Sequence, residues 1–282
     1  MVDVRAEIDG RTLKLSNLDK VLYPRTGTTK AEVLDYYARV APVLLPQLRG
    51  RPVTRVRWPD GIGGQSFFEK NTPAGAPSWI RTVRVRKNIF PVVDDVATLT
   101  WLANTAALEL HVHQWRVDEA GEQLPADRIV IDLDPGEPAG LPECCQVALL
   151  VRELVVGLGL EVHPVASGSK GLHLYIPLAV PVPDPAGVAR QMAEQLQAAY
   201  PGLVVSSMTK ERRGGRVFLD WSQNNAAKTT VAPWSLRGRD RPTVAVPLAW
   251  DEIEAGAEDP LAIDQVSLSE ALSRAGNTFP VF

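Results

Sequence analysis

The chain has 282 residues, 45% hydrophobic and 22% charged, with 30 Lys and Arg against 33 Asp and Glu. That profile fits a globular protein with a sizeable core and excludes a disordered chain. No apolar run nears the roughly 18 residues a bilayer span needs, and the only cysteines, Cys144 and Cys145, are adjacent, which excludes zinc spacing and a disulfide framework and points to a reduced, cytoplasmic setting.

In chain order, Asp9-Gly10 between short alternating runs predicts a hairpin. "TTKAEVLDYYARVAPVLLPQLRG" predicts a helix, with Thr29 and Glu32 at capping-box spacing and Val33, Tyr37, Val40, Leu44 and Leu48 on one face. "PVTRVRW" reads as a strand leading into a loop, "PDGIGGQSFFEKN". A second helix is expected from about Asp95 through Ala107, then a strand, "LELHVHQW", with Glu109, His111 and His113 on its polar side. "RIVIDLD" is a strand, and "PECCQVALLVRELVVGLG" a helix stopped by Gly157 and Gly159. "LEVHPVAS" and "LHLYIPL" are strands flanking a tight "GSKG" turn. "PAGVARQMAEQLQAAY" is another helix, and "LVVSSM" and "RVFLDW" are later strands. No internal repeat or long linker appears, and the mixture predicts an α+β fold of two closely packed modules.

Charge is unevenly placed. Residues 1–90 carry 16 basic against 8 acidic side chains and residues 206–241 carry 8 against 3, while the intervening and final stretches are acidic. Two basic blocks that converge would offer a face to a polyanion in spite of the net charge of −3.

The chemistry centres on "DLD". Residues i and i+2 of a strand share a face, so Asp132 and Asp134 project together while Ile129, Ile131 and Leu133 face the core. Two carboxylates side by side repel and lose water, and a divalent metal relieves both costs. Asp220, at the end of "RVFLD", supplies a third acid, a set suited to two-metal phosphoryl or nucleotidyl transfer. "SGSKG" offers small residues, backbone N–H groups and Lys170 as a phosphate cradle, but not with Walker spacing. His173 lies just beyond it, and "SLRGR" adds Arg237 and Arg239.

Taken together and in order, "SNLDKVLYP", "TGTTK", "FFEK", "LELHVHQW", "DLDPG", "SGSKGLHLY", "VFLDWSQN" and "KTTVAPWSLRGR" resemble the polymerase domain of bacterial ATP-dependent DNA ligase D, in the archaeo-eukaryotic primase superfamily. The resemblance implies a primase-like α+β fold with largely antiparallel sheets around one cleft. It implies a single domain over 1–282, with an N-terminal module to about residue 125, a catalytic module over 126–245 and a tail over 246–282 packing back. The implied activity is primer extension and short-gap filling in break repair and end joining, with ribonucleotides preferred and two manganese or magnesium ions. Asp132, Asp134 and Asp220 match the metal ligands and His111 a catalytic-centre histidine. Ser167, Lys170, His173, Gln223, Arg237 and Arg57 match nucleotide contacts, although Val56 stands before Arg57 where relatives can have a basic residue. Asn17, Lys20 and Lys30 match a 5′-phosphate pocket, and Phe67 and Phe68 a loop that stacks on template or nucleobase. His113 occupies a position where proline is common.

The implied partners are gapped or broken DNA with a 5′-phosphate, nucleoside triphosphates, Ku and a DNA ligase, at the nucleoid and not at a membrane. No K-x-D-G nucleotidyl-lysine motif occurs, so nick sealing is not expected of these residues. The competing readings are a DxD glycosyltransferase, which leaves Asp220 and the basic blocks without a use, and a non-enzymatic DNA-end binder, which leaves the three carboxylates without one.

Overall fold

The Asp9-Gly10 hairpin forms between β1 (Val4–Ile8) and β2 (Arg11–Leu15), both turn residues taking the positive φ that a two-residue I′ connection requires (50° and 69°). The computed structural model describes residues 3–276, 280 and 281. β3 (Val21–Tyr23) and β4 (Thr28–Thr29) lead into α1 (Lys30–Leu48), where Thr29 and Glu32 close the capping box. The expected stripe of Val33, Tyr37, Val40, Leu44 and Leu48 is fully buried, and the chain leaves through Gly50 at φ 68°.

β5 (Val53–Arg57) pairs with β6 (Phe67–Glu69), so part of the expected loop is instead an edge strand. Three paired residues, two of them with exposed rings, leave too little alternation for sequence reasoning to detect. β7 (Thr82–Val85) and β8 (Asn88–Pro91) form a second hairpin. α2 (Val96–Asn104) is capped by Asp95 and ends before the expected Ala107, which already belongs to β9 (Ala107–Val112). β10 (Trp115–Val117) and β11 (Gln123–Ala126) follow as a short ribbon. His113 is buried here, stacked on Trp115 (centroids 4.4 Å apart) with its Nδ1–H donating to the Lys228 carbonyl at 2.9 Å.

β12 (Arg128–Pro135) occupies the interior of a six-stranded sheet. The elements that build the rest are α3 (Leu141–Gly157), β13 (His163–Ala166), β14 (Leu172–Pro177), α4 (Pro185–Ala199), β15 (Val204–Val205) and β16 (Val217–Asp220). They are followed by β17 (Thr230–Val231), β18 (Val246–Pro247), α5 (Trp250–Glu258) and α6 (Leu268–Arg274). The order is β15-β16-β12-β14-β13-β18, antiparallel except for β15 beside β16. A second sheet runs β17-β9-β5-β6. The expected division at residue 125 is therefore crossed, because β17 from the catalytic half completes the N-terminal sheet while β18, from the expected tail, edges the other.

Ile129, Ile131 and Leu133 enter the main core with Cys144, Val147 and Val151 of α3, as alternation requires. The opposite face of β12 is not open to water at its start. Val130 packs with Val165, Tyr175, Val231 and Ala245, and the buried Arg128 donates to Gln114 at 2.7 Å with its guanidinium over the Tyr175 ring. Only toward Asp132 and Asp134 does that face open.

The "GSKG" turn presses on this strand. Ser167 Oγ accepts from the backbone N–H groups of Ser169 and Gly171, each at 3.2 Å, and a Cβ on Gly171 would collide with the Leu133 carbonyl between the two aspartates. Gly171→Ala is expected to destabilise the protein by about 1–3 kcal/mol. Urea unfolding should show a lower midpoint at unchanged slope, and an unchanged midpoint would mean that the turn does not rest on β12.

Candidate active site

Cross-strand register brings the acids together. Asp132 lies opposite Asp220 of β16 on one side and opposite His173 of β14 on the other. Asp134, two residues on, shares the face. Gln223 Nε2 donates to Asp220 at 2.9 Å and lies 3.4 Å from Asp132, while the Ser222 hydroxyl bonds Asp220 and in turn contacts the Lys228 ammonium. Asp134 has Lys170 at 3.2 Å and Arg213 at 3.5 Å. Withdrawal from water pushes the Asp132 carboxyl up to about 7, and the charges of Asp134 and Asp220 add to the rise against Arg237 and Gln223.

Around these acids lies a cleft of about 270 Å³, lined also by His111, Ser167, Lys170, His173, Gln223, Thr229, Thr230, Arg237 and Arg239. His173 Nε2 is 3.5 Å from Asp132. Burial, helped by the charges of Arg237 and His111, lowers its imidazole to about 3, so it is neutral at pH 7. Arg237 donates to the Ser167 carbonyl at 2.7 Å and to Glu109 at 3.1 Å. Burial would raise the Glu109 carboxyl, but the hydrogen bond from His111 (2.8 Å), the charge of Arg237 and the Gly238 N–H (2.9 Å) hold it down at about 2.

The expected Ser167, Lys170, His173, Gln223, Arg237 and His111 thus converge on the three carboxylates. Arg57 does not. It lies on β5, its side chain held by the Thr105 carbonyl at 2.7 Å and Glu69 at 3.0 Å, and it lines a separate pocket of about 170 Å³ with Asn17, Lys20 and Lys30. The expected nucleotide contact Arg57 therefore lies at this second pocket, apart from the three carboxylates. Lys30 is buried there, its ammonium 2.5 Å from the Ser16 carbonyl, and burial with the nearby Lys20 charge lowers it to about 8. Lys20 pairs with the exposed Asp60 at 2.8 Å.

Phe67 and Phe68 bridge the two places. Phe67 opposes Arg57 across the β5–β6 pair, and Phe68 meets His111 edge-on with centroids 6.2 Å apart. Both rings remain exposed, at 41% and 58%. Sequence reasoning missed Glu109, Arg213, Ser222 and Lys228 as site residues. Glu109 was visible only as a strand neighbour of His111, nothing local marked Arg213, whose contact with Asp134 is long-range, and Lys228 stood in a quoted motif with no role given to it.

The donors suit a hard divalent cation. Carboxylate oxygens are the preferred ligands, and burial beside Asp134 and Asp220 disfavours the charged form of Asp132, a cost that a cation would offset. Among the described residues no three ligating side chains are drawn into a closed set. Instead Gln223 and Lys170 place N–H donors between and beside the acids, where a cation would compete.

Residues 29–279 match the family model described as LigD, primase-polymerase domain. The chain is 52% identical over 260 residues to the multifunctional non-homologous end joining protein LigD of Mycolicibacterium smegmatis, covering 90% of this chain and 34% of that protein. It is 34% identical over 246 residues to the bifunctional non-homologous end joining protein LigD of Bacillus subtilis, covering 86% and 40%. The chain therefore spans well under half the length of these relatives. A solved structure of the polymerase domain from Mycobacterium tuberculosis ligase D in complex with DNA superposes with a TM-score of 0.88 at 48% identity over 94% of both chains.

Divalent metal is expected to stabilise this protein by binding the folded state. Without metal, the Asp132 carboxyl binds its proton more tightly folded than unfolded (about 7 against 3.8), so its contribution falls as pH rises across that window. Manganese at pH 7.5 should raise Tm by roughly 2–4 °C for each kcal/mol of binding. Asp132→Asn should raise the metal-free Tm and abolish the metal response. Equal responses in both proteins would exclude Asp132 as a ligand.

Proposed function

The chain belongs to the LigD primase-polymerase domain family, nucleotidyltransferases of the primase superfamily, and from that premise we propose that it extends primers and fills short gaps at DNA breaks that carry a 5′-phosphate, in end joining. One observation carries the reading: Asp132 is the register neighbour of Asp220 on one side and of His173 on the other, so the metal face and the phosphate-binding edge meet on a single strand.

Asp132, Asp134 and Asp220 would hold two manganese or magnesium ions. Bound there, the ions supply activation of the attacking hydroxyl and stabilisation of the leaving pyrophosphate. Lys170, Arg237 and the neutral His173 receive the triphosphate, the Lys170 point charge and the planar Arg237 guanidinium both lying beside the turn that Ser167 heads. Gln223 spans Asp132 and Asp220 and keeps both turned toward the cleft. Phe67 and Phe68 offer exposed ring faces to template bases. Asn17, Lys20 and Lys30, with Arg57 lining the same pocket, form the receptor for the 5′-phosphate on the far side of a gap. Ribonucleotides are preferred, Ku and a DNA ligase are the partners, and the nucleoid is the place of action.

Two features weigh against other classes. A DxD glycosyltransferase has no use for Asp220 or the lysine pocket, and a passive end binder has none for the carboxylate face.

Primer extension on a gapped duplex tests the reading. Asp132→Ala, Asp134→Ala and Asp220→Ala are each expected to abolish nucleotide addition while gap binding persists, and wild-type extension by any of them would remove the claim. Matched ribo- and deoxyribonucleotides should differ in kcat/KM in favour of the former.

The lysine pocket has its own test. Lys30 is an ammonium below about 8 and loses its proton above, while a terminal phosphate, with its second pKa near ~6, remains a dianion. Preference for a 5′-phosphorylated over a 5′-hydroxyl gap should therefore decline from pH 7 to 9 at fixed salt. Lys30→Ala should lower that preference by about 10- to 100-fold, the worth of one charged hydrogen bond, and flatten its pH dependence. A Lys30→Ala protein with unchanged discrimination would make the lysine ordinary surface charge.

A further inference from the structure

Glu109 is assigned to neither the metal face nor the phosphate edge, yet it touches a member of each half of the cleft. One carboxylate oxygen, Oε1, accepts from Arg237 Nε at 3.1 Å and from the Gly238 backbone N–H at 2.9 Å. The other, Oε2, lies 2.8 Å from His111 Nε2. Arg237 in turn reaches the Ser167 carbonyl, and its own carbonyl accepts from the Tyr23 hydroxyl at 2.8 Å. Glu109 stands on β9 of one sheet, while Ser167 heads the turn between β13 and β14 of the other. A single buried carboxylate therefore spans the seam between the sheets.

We propose that Glu109 is a positioning residue that fixes the tautomer of His111 and the direction of the Arg237 guanidinium at the same time, so that both halves of the nucleotide site are set by one group.

Glu109 is ionised and can only accept, so His111 must carry a proton on Nε2 and present Nδ1 away from the carboxylate. Arg237, held through Nε and Nη1, is left with Nη2 outside these contacts. Three donors converge on two oxygens, and an amide cannot replace them. Glutamine has one acceptor oxygen, and its NH₂ must then oppose either His111 or the Arg237–Gly238 pair. Turned one way the amide loses the Arg237–Gly238 arm, and turned the other it donates to His111 Nε2 and forces the opposite tautomer. Aspartate keeps the charge but is one methylene too short to span both sides.

The inference rests on the nucleotide-binding reading of the cleft, and the test separates the two. Long-range ¹H–¹⁵N correlation reports the tautomer of each of the four histidines in the chain. Wild type should show His111 as the Nε2–H form, and Glu109→Gln should convert it to a mixture or lower kcat/KM for nucleotide addition by about 10- to 100-fold. Loss of the His111 arm should appear in kcat, and loss of the Arg237 arm in the KM for triphosphate. Binding of a 5′-phosphorylated end, which uses the separate pocket, should not change. Should Glu109→Gln fail to fold, Glu109→Asp decides, since it retains the buried ion pair and is expected to keep stability while losing kcat/KM. Wild-type kcat, KM and His111 tautomer in the variants that fold would overturn the proposal. A wild-type protein that adds no nucleotide would instead remove the reading of the cleft, and the tautomer spectra would still judge Glu109.

Discussion

The arrangement depends on where β12 puts the Asp132 carboxylate. It lies in the interior of a sheet, flanked in register by Asp220 and His173 and followed on the same face by Asp134. Three negative charges drawn partly out of water repel one another, and the rise of Asp132 to about 7 expresses that cost. The surrounding residues answer it without cancelling it. Gln223 bridges two of the acids, Lys170 and Arg213 approach the third, and Lys228 reaches Asp220 through Ser222. A residual demand for cations is what a metal-dependent nucleotidyltransferase requires.

The same constraint explains the division of labour along the chain. The acids need cations in the cleft, and Arg237, Arg239 and Arg213 come from the second basic block. The first block supplies the separate lysine pocket, where burial of Lys30 beside Lys20 leaves an uncompensated positive charge. One place is short of cations and the other is short of anions. Between them stands the exposed Phe67–Phe68 pair, on a short edge strand that touches His111 at one end and opposes Arg57 at the other.

Much of this was legible in the sequence because it is local. The period-2 pattern of "RIVIDLD" placed Ile129, Ile131 and Leu133 in the core and both aspartates on the opposite face, and the structure agrees. The Thr29–Glu32 cap and the stripe of α1 are equally local. What escaped was long-range or too short to be periodic. The three-residue β6 was read as loop, and the place of Arg57 apart from the carboxylate cleft was not legible because its direction depends on Glu69 and Thr105. β17 pairs with a strand more than a hundred residues earlier, which no window of sequence contains. Glu109 was noticed only as a neighbour of His111, since its role depends on Arg237 arriving from the far end of the chain. His113 proved to be packing, held between Trp115 and the Lys228 carbonyl.

The central claim is that metal and triphosphate meet on β12. The most direct measurement is a crystal structure with manganese and a non-hydrolysable ribonucleoside triphosphate, using the anomalous scattering of manganese to locate the ions. The account predicts anomalous peaks among Asp132, Asp134 and Asp220, with the triphosphate lying along Ser167, Lys170 and Arg237. Manganese bound elsewhere, or a triphosphate seated away from that edge with the three carboxylates still bridged by Gln223, would contradict it.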